Sequence, residues 1–286
     1  MSKNNTYRQG WLVFPVFQIT LHKKDRAILE MILNHFNGIG SIFSEEKRNS
    51  VKYRVASFEE LGLIIKHLDK YPLITQKKAD FLLFKQAWEL ISQKGHLTSE
   101  GLNQIVNIRA AMNLGLTETL KREFPAYIPV ARPLIQDQKI KDPYWLAGFT
   151  SGEGCFMVKI GKSISHKSGY RILLEFVLTQ HIRDEELIRS IISYLGCGRY
   201  VFGPSRPDCA QFTVTKFPEV NKIIIPFFEK YPIIGVKHQD FLSFCEVAKI
   251  MVNKDHLTKE GLKQVLNLKQ NMNKSRRQEE DGFLSK

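Results

Sequence analysis

An internal repeat is the feature that most constrains how this 286-residue chain can fold. Residues 17–25 align with residues 176–184 at an offset of 159, with Phe, Thr, His and Asp at the same places in both copies. At an offset of 160 the match continues, and the His-Leu-Thr sequence of residues 96–98 recurs at residues 256–258. Each copy spans roughly a hundred residues, far more than a solenoid unit. The sequence therefore predicts a duplicated domain with pseudo-twofold symmetry.

The repeat divides the chain into four segments. We expect a first repeat over residues 1–122, a linker over 123–142, a second repeat over 143–275 and a basic, polar tail over 276–286. The linker is recognised by three prolines and by few periodic apolar positions.

Alternating and amphipathic patterns predict an α+β fold. In the second repeat the predicted elements are a strand at 170–179, a helix at 185–195 capped by Asp184, a strand through 211–215, helices at 218–230 and 237–253, and a last helix capped by Thr258. Strands and helices in this order are typical of an antiparallel sheet covered by helices. Such a sheet buries one face and leaves the other free for a ligand.

The charge of the chain favours a polyanionic partner. Lys and Arg number 42 against 29 Asp and Glu, which gives a formal charge of +13 and a pI near 9.5. Nucleic acid is the leading candidate, and a pseudo-twofold protein suits a duplex with pseudo-palindromic half-sites. No membrane partner is expected, because the sequence has no run of 18 apolar residues. The four scattered cysteines are expected to be reduced, buried thiols.

The segment from residue 142 to residue 156 carries the most specific motif. Asp142 as N-cap and Pro143 at the first helical position predict the start of a short helix, and Gly154 predicts its end. Small residues four positions apart favour close approach of a second helix. The expected helix interface consists of Ala147, Gly148 and Ser151.

Glu153 would lie at the C-terminal end of this helix, where the helix dipole disfavours an anion. A cation should therefore compensate the carboxylate. Mg²⁺ bound for phosphate chemistry is one candidate, and a solvated carboxylate beside the helix end is the alternative.

The sequence from Trp145 to Gly154 resembles the signature helix of LAGLIDADG homing endonucleases. From about residue 10 to about residue 275, the chain resembles the single-chain, two-repeat members encoded in fungal mitochondrial introns. The resemblance implies an antiparallel, saddle-shaped sheet packed under helices in each repeat. It also implies Mg²⁺-dependent phosphodiester hydrolysis of double-stranded DNA at a long pseudo-palindromic target, by a monomer working in the mitochondrion.

The resemblance also assigns roles to individual residues. Glu153, with Gly152, would bind the metal ion, and Gln180 would contact the water network of the active site. Lys77 and Lys237 would lie near the cleavage centre, although a solvated helix start is the alternative for both lysines. Side chains on the free sheet faces would contact DNA, and the candidates are Gln18, Arg171, Glu175, Thr179, Gln211, Thr213 and Thr215.

One part of the family pattern has no counterpart in this sequence. The offset of 159 places the first signature helix before Met1, so the first repeat is expected to lack its opening helix and strand. Residues 1–16 would then correspond to 160–175, with Leu12, Phe14 and Val16 on the groove-facing side of a strand. We expect a gene model that begins late rather than a degraded copy. Because one catalytic acid is missing, the alternatives are an RNA maturase that binds its intron RNA and a catalytically inactive DNA-binding protein.

Overall fold

The computed structural model describes residues 1–164, 169–203 and 206–273, and it divides into two compact units. Unit 1 is Met1–Asp137 and unit 2 is Gln138–Lys286. The division falls inside the segment expected to be a linker. The tail expected at 276–286 lies outside the described residues.

Unit 1 contains a three-stranded antiparallel sheet with helices packed on it. Its elements are β1 (Ser2–Lys3), β2 (Trp11–Leu12), β3 (Phe17–His22), α1 (Arg26–His35), β4 (Ser41–Glu45), β5 (Ser50–Val55), α2 (Phe58–Lys70), α3 (Lys77–Ser92), α4 (Ser99–Ala111) and α5 (Glu118–Glu123). The strand order is β3-β5-β4, while β1 and β2 form a separate two-stranded sheet. Phe17 lies opposite Val55, and His22 lies opposite Ser50.

Unit 2 repeats this plan with a fourth strand and an opening helix. Its elements are α6 (Pro143–Glu153), β6 (Gly154–Lys162), β7 (Tyr170–His181), α7 (Glu185–Leu195), β8 (Arg199–Gly203), β9 (Arg206–Val214), α8 (Phe217–Glu219), a π-helical turn (Val220–Ile224), α9 (Ile225–Lys230), α10 (Lys237–Val252) and α11 (Lys259–Gln270). The antiparallel strand order is β6-β7-β9-β8. The prediction of an α+β fold with antiparallel sheets is confirmed.

One face of each sheet is buried because apolar residues occupy every second strand position. In β3, Phe17, Ile19 and Leu21 are less exposed than the residues between them. Tyr53 of β5 is completely buried, and its hydroxyl donates a 2.8 Å hydrogen bond to the carbonyl of Ile39. The corresponding core of unit 2 is aromatic. Its fully buried large side chains include Phe156, Phe176, Phe212, Phe228 and Phe244.

Side-chain caps fix the helix starts in both units. Thr98 and Thr258 each accept a 3.0 Å hydrogen bond from the backbone N–H of the glycine three residues later. Asp142 caps α6 by accepting from the N–H of Tyr144 at 2.7 Å. The caps predicted at Asp142 and Thr258 are confirmed.

The cap predicted at Asp184 is wrong. Asp184 makes no side-chain cap bond to α7; instead it accepts a 2.6 Å hydrogen bond from the side-chain amide of Gln138. The amide oxygen of Gln138 in turn accepts from the N–H of Leu187. A side chain distant in sequence thus accepts a hydrogen bond from a backbone N–H in the first turn of α7. A local sequence pattern cannot reveal such a contact.

A buried aspartate joins α3 to the end of α4 in unit 1, and the same contact recurs between α10 and the end of α11 in unit 2. Asp80 accepts a hydrogen bond from the N–H of Asn113 at 2.9 Å, and Asp240 accepts from the N–H of Asn273 at 3.0 Å. Both asparagines have positive φ angles, of 48° and 54°. Asparagine tolerates this conformation better than most residues. Each aspartate therefore stabilises a turn whose left-handed backbone conformation favours asparagine.

The N-terminal residues do not adopt the strand expected for them. Trp11 and Leu12 pair with Ser2 and Lys3 rather than extending β3, and the Trp11 ring packs on Phe124 at 5.2 Å. Leu12, Phe14 and Val16 therefore do not lie on the groove-facing side of a sheet strand. Pro15, two residues before β3, lacks the N–H that a longer strand would need.

The predicted end of α6 at Gly154 is confirmed, and Gly154 leaves the helix in an extended conformation with φ −73°. A Cβ at Gly154 would lie 2.5 Å from the Thr150 side chain, which is the contact that requires glycine there. Thr215 follows the last residue of β9 rather than belonging to the strand.

All four cysteines are free, and only Cys197 and Cys245 are buried. Burial raises the pKa of Cys197 to about 11 and that of Cys245 to about 12. Cys155 and Cys209 are half-buried, so the expectation of buried thiols is met by two of the four. Among the described residues, no helix is long and apolar enough to cross a membrane.

Two neighbouring glycines of unit 2 provide a matched test of its packing. Both have positive φ, but a Cβ at Gly198 would lie 2.4 Å from the Phe212 ring, whereas a Cβ at Gly196 would meet open space. We expect Gly196→Ala to lower the free energy of unfolding by about 1 kcal/mol. Gly198→Ala should lower it by about 2–4 kcal/mol, because overpacking adds to the backbone cost. Urea denaturation followed by circular dichroism measures both, and equal effects would contradict the proposed close contact.

Candidate active site and nucleic-acid interface

Glu153 lies where α6 passes directly into β6. Helix α6 ends there because the N–H of Gly154 still bonds to the carbonyl of Thr150 while Gly154 itself is already extended. The Glu153 side chain is exposed, and it makes no hydrogen bond or ion pair within the part of the chain that the structure describes. Its carboxylate is thus available to a ligand at the C-terminal end of a helix.

Lys237, the first residue of α10, compensates the negative end of α6. Its ammonium group donates hydrogen bonds to the carbonyls of Gly152, at 2.8 Å, and Thr150, at 3.2 Å. An ammonium group in this position is favoured by the negative end of the helix dipole, while the cation expected to compensate the Glu153 carboxylate stays a prediction. Glu153, Gly152 and Lys237 therefore come together in one small region of unit 2.

Gln180 lies near the end of β7, two residues beyond the Leu178 that pairs with Gly154. It is half-buried, and it lies on the same strand side as Phe176 and Leu178, which is the side covered by helices. The strand position next to it, Thr179, lies on the opposite side. Gln180 thus approaches the α6–β6 junction from the core side of the sheet.

Lys77 occupies a different environment from its counterpart Lys237. The Lys77 ammonium donates to the side-chain oxygen of Asn113 at 2.9 Å and lies 3.3 Å from the Asp80 carboxylate, and the side chain is 60% exposed. Burial raises the pKa of Asp80, but hydrogen bonds from Arg132 and Asn113 outweigh burial and hold that pKa below its ordinary value. Asp80 is therefore a charged partner for Lys77, and Lys237 donates to two main-chain carbonyls.

The residues expected to form a helix interface lie in different environments. Ala147 is buried, and the Ser151 hydroxyl accepts from the N–H of Ile234 at 3.1 Å while donating to the Ala147 carbonyl. A Cβ at Gly148 or at Gly152 would meet open space. Of the three expected interface residues, Gly148 thus lies on an open side of α6, and the interface itself stays a prediction.

Apart from Thr215, which lies beyond β9, the expected DNA contacts of unit 2 lie on one sheet face, but their exposure differs. Arg171 is exposed, and Thr179 and Gln211 are half-buried cross-strand partners. Glu175 and Thr213 are more than nine-tenths buried, and the Glu175 carboxylate forms an ion pair with Lys159. Arg171, Thr179 and Gln211 are consequently the accessible members of the expected set.

The outer face of the unit 1 sheet is polar and cationic. Gln18 lies opposite Arg54, and its side-chain amide donates to the Thr20 hydroxyl at 3.0 Å. Lys52, on the same face of β5 as Arg54, forms a 2.6 Å ion pair with Glu45. Arg54 forms no such pair within the described part of the chain.

Sequence reasoning named only Gln18 on this face and missed Lys52, Arg54 and Phe43. The signal was present, because Val51, Tyr53 and Val55 alternate with the polar residues of β5. The Phe43 ring is 52% exposed and lies opposite Lys52. In unit 2, Arg199 and Lys159 lie on the corresponding outer face and were also missed.

No cluster of three or more His, Cys, Asp or Glu side chains able to hold a metal ion occurs among the described residues. A cation at the α6–β6 junction would therefore rely on one carboxylate, main-chain oxygens, water and its substrate. Magnesium sites of this composition are common, since Mg²⁺ keeps several waters and binds one or two carboxylates with substrate phosphates. The donor set around Glu153 fits such an ion.

The two lysines should respond differently to the same substitution. Lys237→Ala removes charged donors from two carbonyls at a helix end, so we expect it to lower the free energy of unfolding by about 1–2 kcal/mol. Lys77→Ala removes a largely exposed ion pair and should cost less than about 1 kcal/mol. Urea denaturation of both variants measures the difference. A larger loss for Lys77→Ala would contradict the assigned contacts.

The family model described as LAGLIDADG endonuclease matches residues 1–88 and 146–248. The chain is 45% identical, over 93% of its length, to a probable intron-encoded endonuclease 3 of Neurospora crassa, and 38% identical, over 94%, to a probable intron-encoded endonuclease 2 of the same fungus. It covers 50% of the first and 60% of the second, so it spans little more than half the length of these relatives.

A solved structure of I-SmaMI, a LAGLIDADG homing endonuclease bound to cleaved DNA, matches the fold with a TM-score of 0.92. The identity is 46%, and the match covers 96% of this chain and 91% of that one. The family model and these relatives agree with the duplicated α+β fold and with the motif of α6. The chain belongs to the LAGLIDADG endonuclease family.

Proposed function

We propose that this chain acts as a site-specific endonuclease of the homing type, which cleaves double-stranded DNA at a long pseudo-palindromic target in a Mg²⁺-dependent reaction. The observation that carries the proposal is the α6–β6 junction. There the exposed Glu153 carboxylate, which has no partner among the described residues, lies near the lysine bound to the helix end, in the structural setting of the family's signature motif.

The sheet faces support DNA as the substrate. Each unit has an antiparallel sheet whose outer face carries Arg, Lys, Gln and Thr side chains, and β-strands can enter the DNA major groove. The cationic residues would contact phosphates and the amides would contact base edges. The I-SmaMI structures bound to DNA support the same assignment.

The catalytic role of each residue follows from its position. Glu153 and the main chain of Gly152 would hold the divalent cation, which when bound supplies Lewis-acid stabilisation of charge on the phosphate. Lys237 fixes the end of α6 through two carbonyls and so orients the Glu153 backbone. Its positive charge also adds to the local field that favours an approaching phosphate. Gln180, at the end of the neighbouring strand, would position water at this junction.

Lys77 and Lys237 are equivalent positions of the two repeats, 160 residues apart, and each begins a helix that packs in its own unit. We assign one of these lysines to the vicinity of the cleavage centre in each unit.

The setting we propose is a fungal mitochondrion, with the chain encoded in an intron. The intron-encoded fungal relatives support this setting. We propose that one chain with its two units binds one target as a monomer, because the duplicated units can meet the two half-sites.

Glu153→Gln is the decisive variant for catalysis. The change removes the metal-binding charge but no phosphate contact, so cleavage should fall at least about 100-fold while DNA affinity changes less than about threefold. The DNA is a duplex selected from a randomised library by its binding to this chain. Cleavage in Mg²⁺ is measured on gels, and affinity by fluorescence anisotropy at fixed salt. Glu186→Gln, an equal charge change on the exposed side of α7, is the matched control.

The outcomes separate the competing functions. Cleavage by Glu153→Gln at the parental rate would contradict the assignment of the acid. Specific DNA binding with no cleavage in Mg²⁺ by the unaltered chain would favour a catalytically inactive DNA-binding protein. Stimulation of intron splicing without selective DNA binding would favour an RNA maturase.

Phe43 is expected to read a thymine methyl group, because apolar side chains in the major groove contact that group. In the selected duplex, single thymines are replaced by uracil one position at a time. At one position, loss of the methyl group should weaken binding about fourfold. Phe43→Ala should be insensitive to that replacement. Leu63→Ala, which removes an equally exposed side chain from α2, should keep the parental profile. An unchanged uracil profile for Phe43→Ala would contradict this role.

A further inference from the structure

The equivalent strands β3 and β7 each end in a histidine that has no role in the proposed catalytic site. These residues, His22 and His181, occupy the same place in the two copies of the repeat, at the offset of 159. Their backbone conformations are nearly identical, with φ −66° and ψ 146° at His22 and φ −63° and ψ 146° at His181. The duplicated units therefore preserve this histidine together with its local geometry.

The ring of each histidine is held by the backbone that follows it. The Nδ1 atom of His22 accepts a 3.3 Å hydrogen bond from the N–H of Lys24, and that of His181 accepts a 3.1 Å bond from the N–H of Arg183. A ring nitrogen that accepts a hydrogen bond carries no proton, so the proton of the neutral imidazole is on Nε2. Both side chains are exposed, and within the part of the chain that the structure describes neither Nε2 atom has a partner. Each unit thus directs one oriented N–H donor towards solvent.

Both donors lie on the outer faces of the sheets. Strand side chains alternate between faces, so His22 lies on the same face of β3 as Gln18, and His181 lies on the same face of β7 as Thr179. The cross-strand partners of the two histidines are small residues, Ser50 and Cys209. Small neighbours leave the imidazole rings uncovered on the face that is proposed to contact DNA.

Capping alone does not account for histidine at these two positions. Helix starts are usually capped by Ser, Thr, Asp or Asn, and the duplicated caps at Thr98 and Thr258 follow that rule. What histidine adds is the N–H donor on the far side of its ring. The residue two positions later is a cation in both units, Lys24 in one and Arg183 in the other. An N–H donor beside a cation is suited to a phosphodiester anion.

We propose that His22 and His181 each donate a hydrogen bond from Nε2 to a phosphate oxygen of the DNA, one in each half-site. Lys24 and Arg183 supply positive charge beside the same phosphates. The inference rests on the proposed function, since it needs a DNA duplex on the outer sheet faces.

The contact in unit 2 lies close to the proposed cleavage centre. His181 is three residues beyond Leu178, the cross-strand partner of Gly154 at the α6–β6 junction. A strand rises about 3.3 Å per residue, so His181 is roughly 10 Å along β7 from that junction. The phosphate bound by His181 is therefore within a few nucleotides of the scissile phosphate, and the contact holds the duplex where the Glu153 carboxylate acts.

Asparagine substitution separates the donor from the cap. In His22→Asn and His181→Asn the amide oxygen takes the place of Nδ1, so the cap remains, but no donor reaches the position of Nε2. Each variant should bind the selected duplex about tenfold more weakly than the unaltered chain, because a hydrogen bond to a charged group is lost. Affinity is measured by fluorescence anisotropy without Mg²⁺, so that cleavage does not interfere.

Two sets of controls distinguish a DNA contact from a structural role. The asparagine variants should keep the parental unfolding midpoint in urea, whereas His22→Ala and His181→Ala lose the cap as well and should have lower midpoints. His35→Asn removes an exposed imidazole from α1 and should keep the parental affinity. Parental affinity of both asparagine variants would overturn the inference, and so would midpoints as low as those of the alanine variants.

Uncharged methylphosphonate linkages locate the contacted phosphates. They replace the phosphates of the selected duplex one at a time. One replacement that weakens binding of the unaltered chain should have no effect on His22→Asn, and another, in the opposite half-site and beside the cleavage position, should have no effect on His181→Asn. A loss of affinity with no such insensitive phosphate would overturn the inference. Absence of selective duplex binding by the unaltered chain would contradict the proposed function itself, and this inference with it.

Discussion

Burial of one face of each antiparallel sheet against its helices is the constraint on which the rest of the structure depends. Strand side chains alternate strictly, so burying Val51, Tyr53 and Val55 forces Lys52 and Arg54 onto the outer face of unit 1. The same register determines which side chains of β7 and β9 face outward in unit 2. The proposed DNA-contacting surface is thus a consequence of core formation, since a slip of one residue would exchange the two faces.

The duplicated units keep the same framework but differ at the ends of their helices and strands. Asp80 and Asp240 each bind the N–H of an asparagine 33 residues later, which preserves one turn in both units. The lysines three residues before these aspartates no longer have the same partners. The Lys77 ammonium contacts a carboxylate and a side-chain amide, and the Lys237 ammonium donates to two main-chain carbonyls of α6. Sequence equivalence between the units therefore does not imply equal chemistry.

Much of this architecture follows from sequence patterns with a direct physical basis. The repeat, the strand alternation and the threonine caps are local or periodic signals, and the structure confirms the α+β fold that they predict. The errors involve long-range contacts. Gln138 replaces Asp184 as the side chain that caps α7, and Trp11 packs on Phe124 instead of extending β3. At the site, the buried Glu175 forms an ion pair with Lys159 of the adjacent strand. The alternation of polar and apolar residues does not predict this pair.

Strand β3 lies at the edge of the unit 1 sheet, with β5 as its strand partner among the described residues, and this position affects the colloidal behaviour of the chain. Edge strands are commonly protected from association by charged side chains. The outer strand β6 carries Lys159 and Lys162, whereas Phe17, Gln18 and Ile19 carry no charge. The backbone of β3 is thus a template on which strands from neighbouring molecules can add. In concentrated solution this edge would favour self-association of the chain, and the net charge of +13 would oppose it through mutual repulsion.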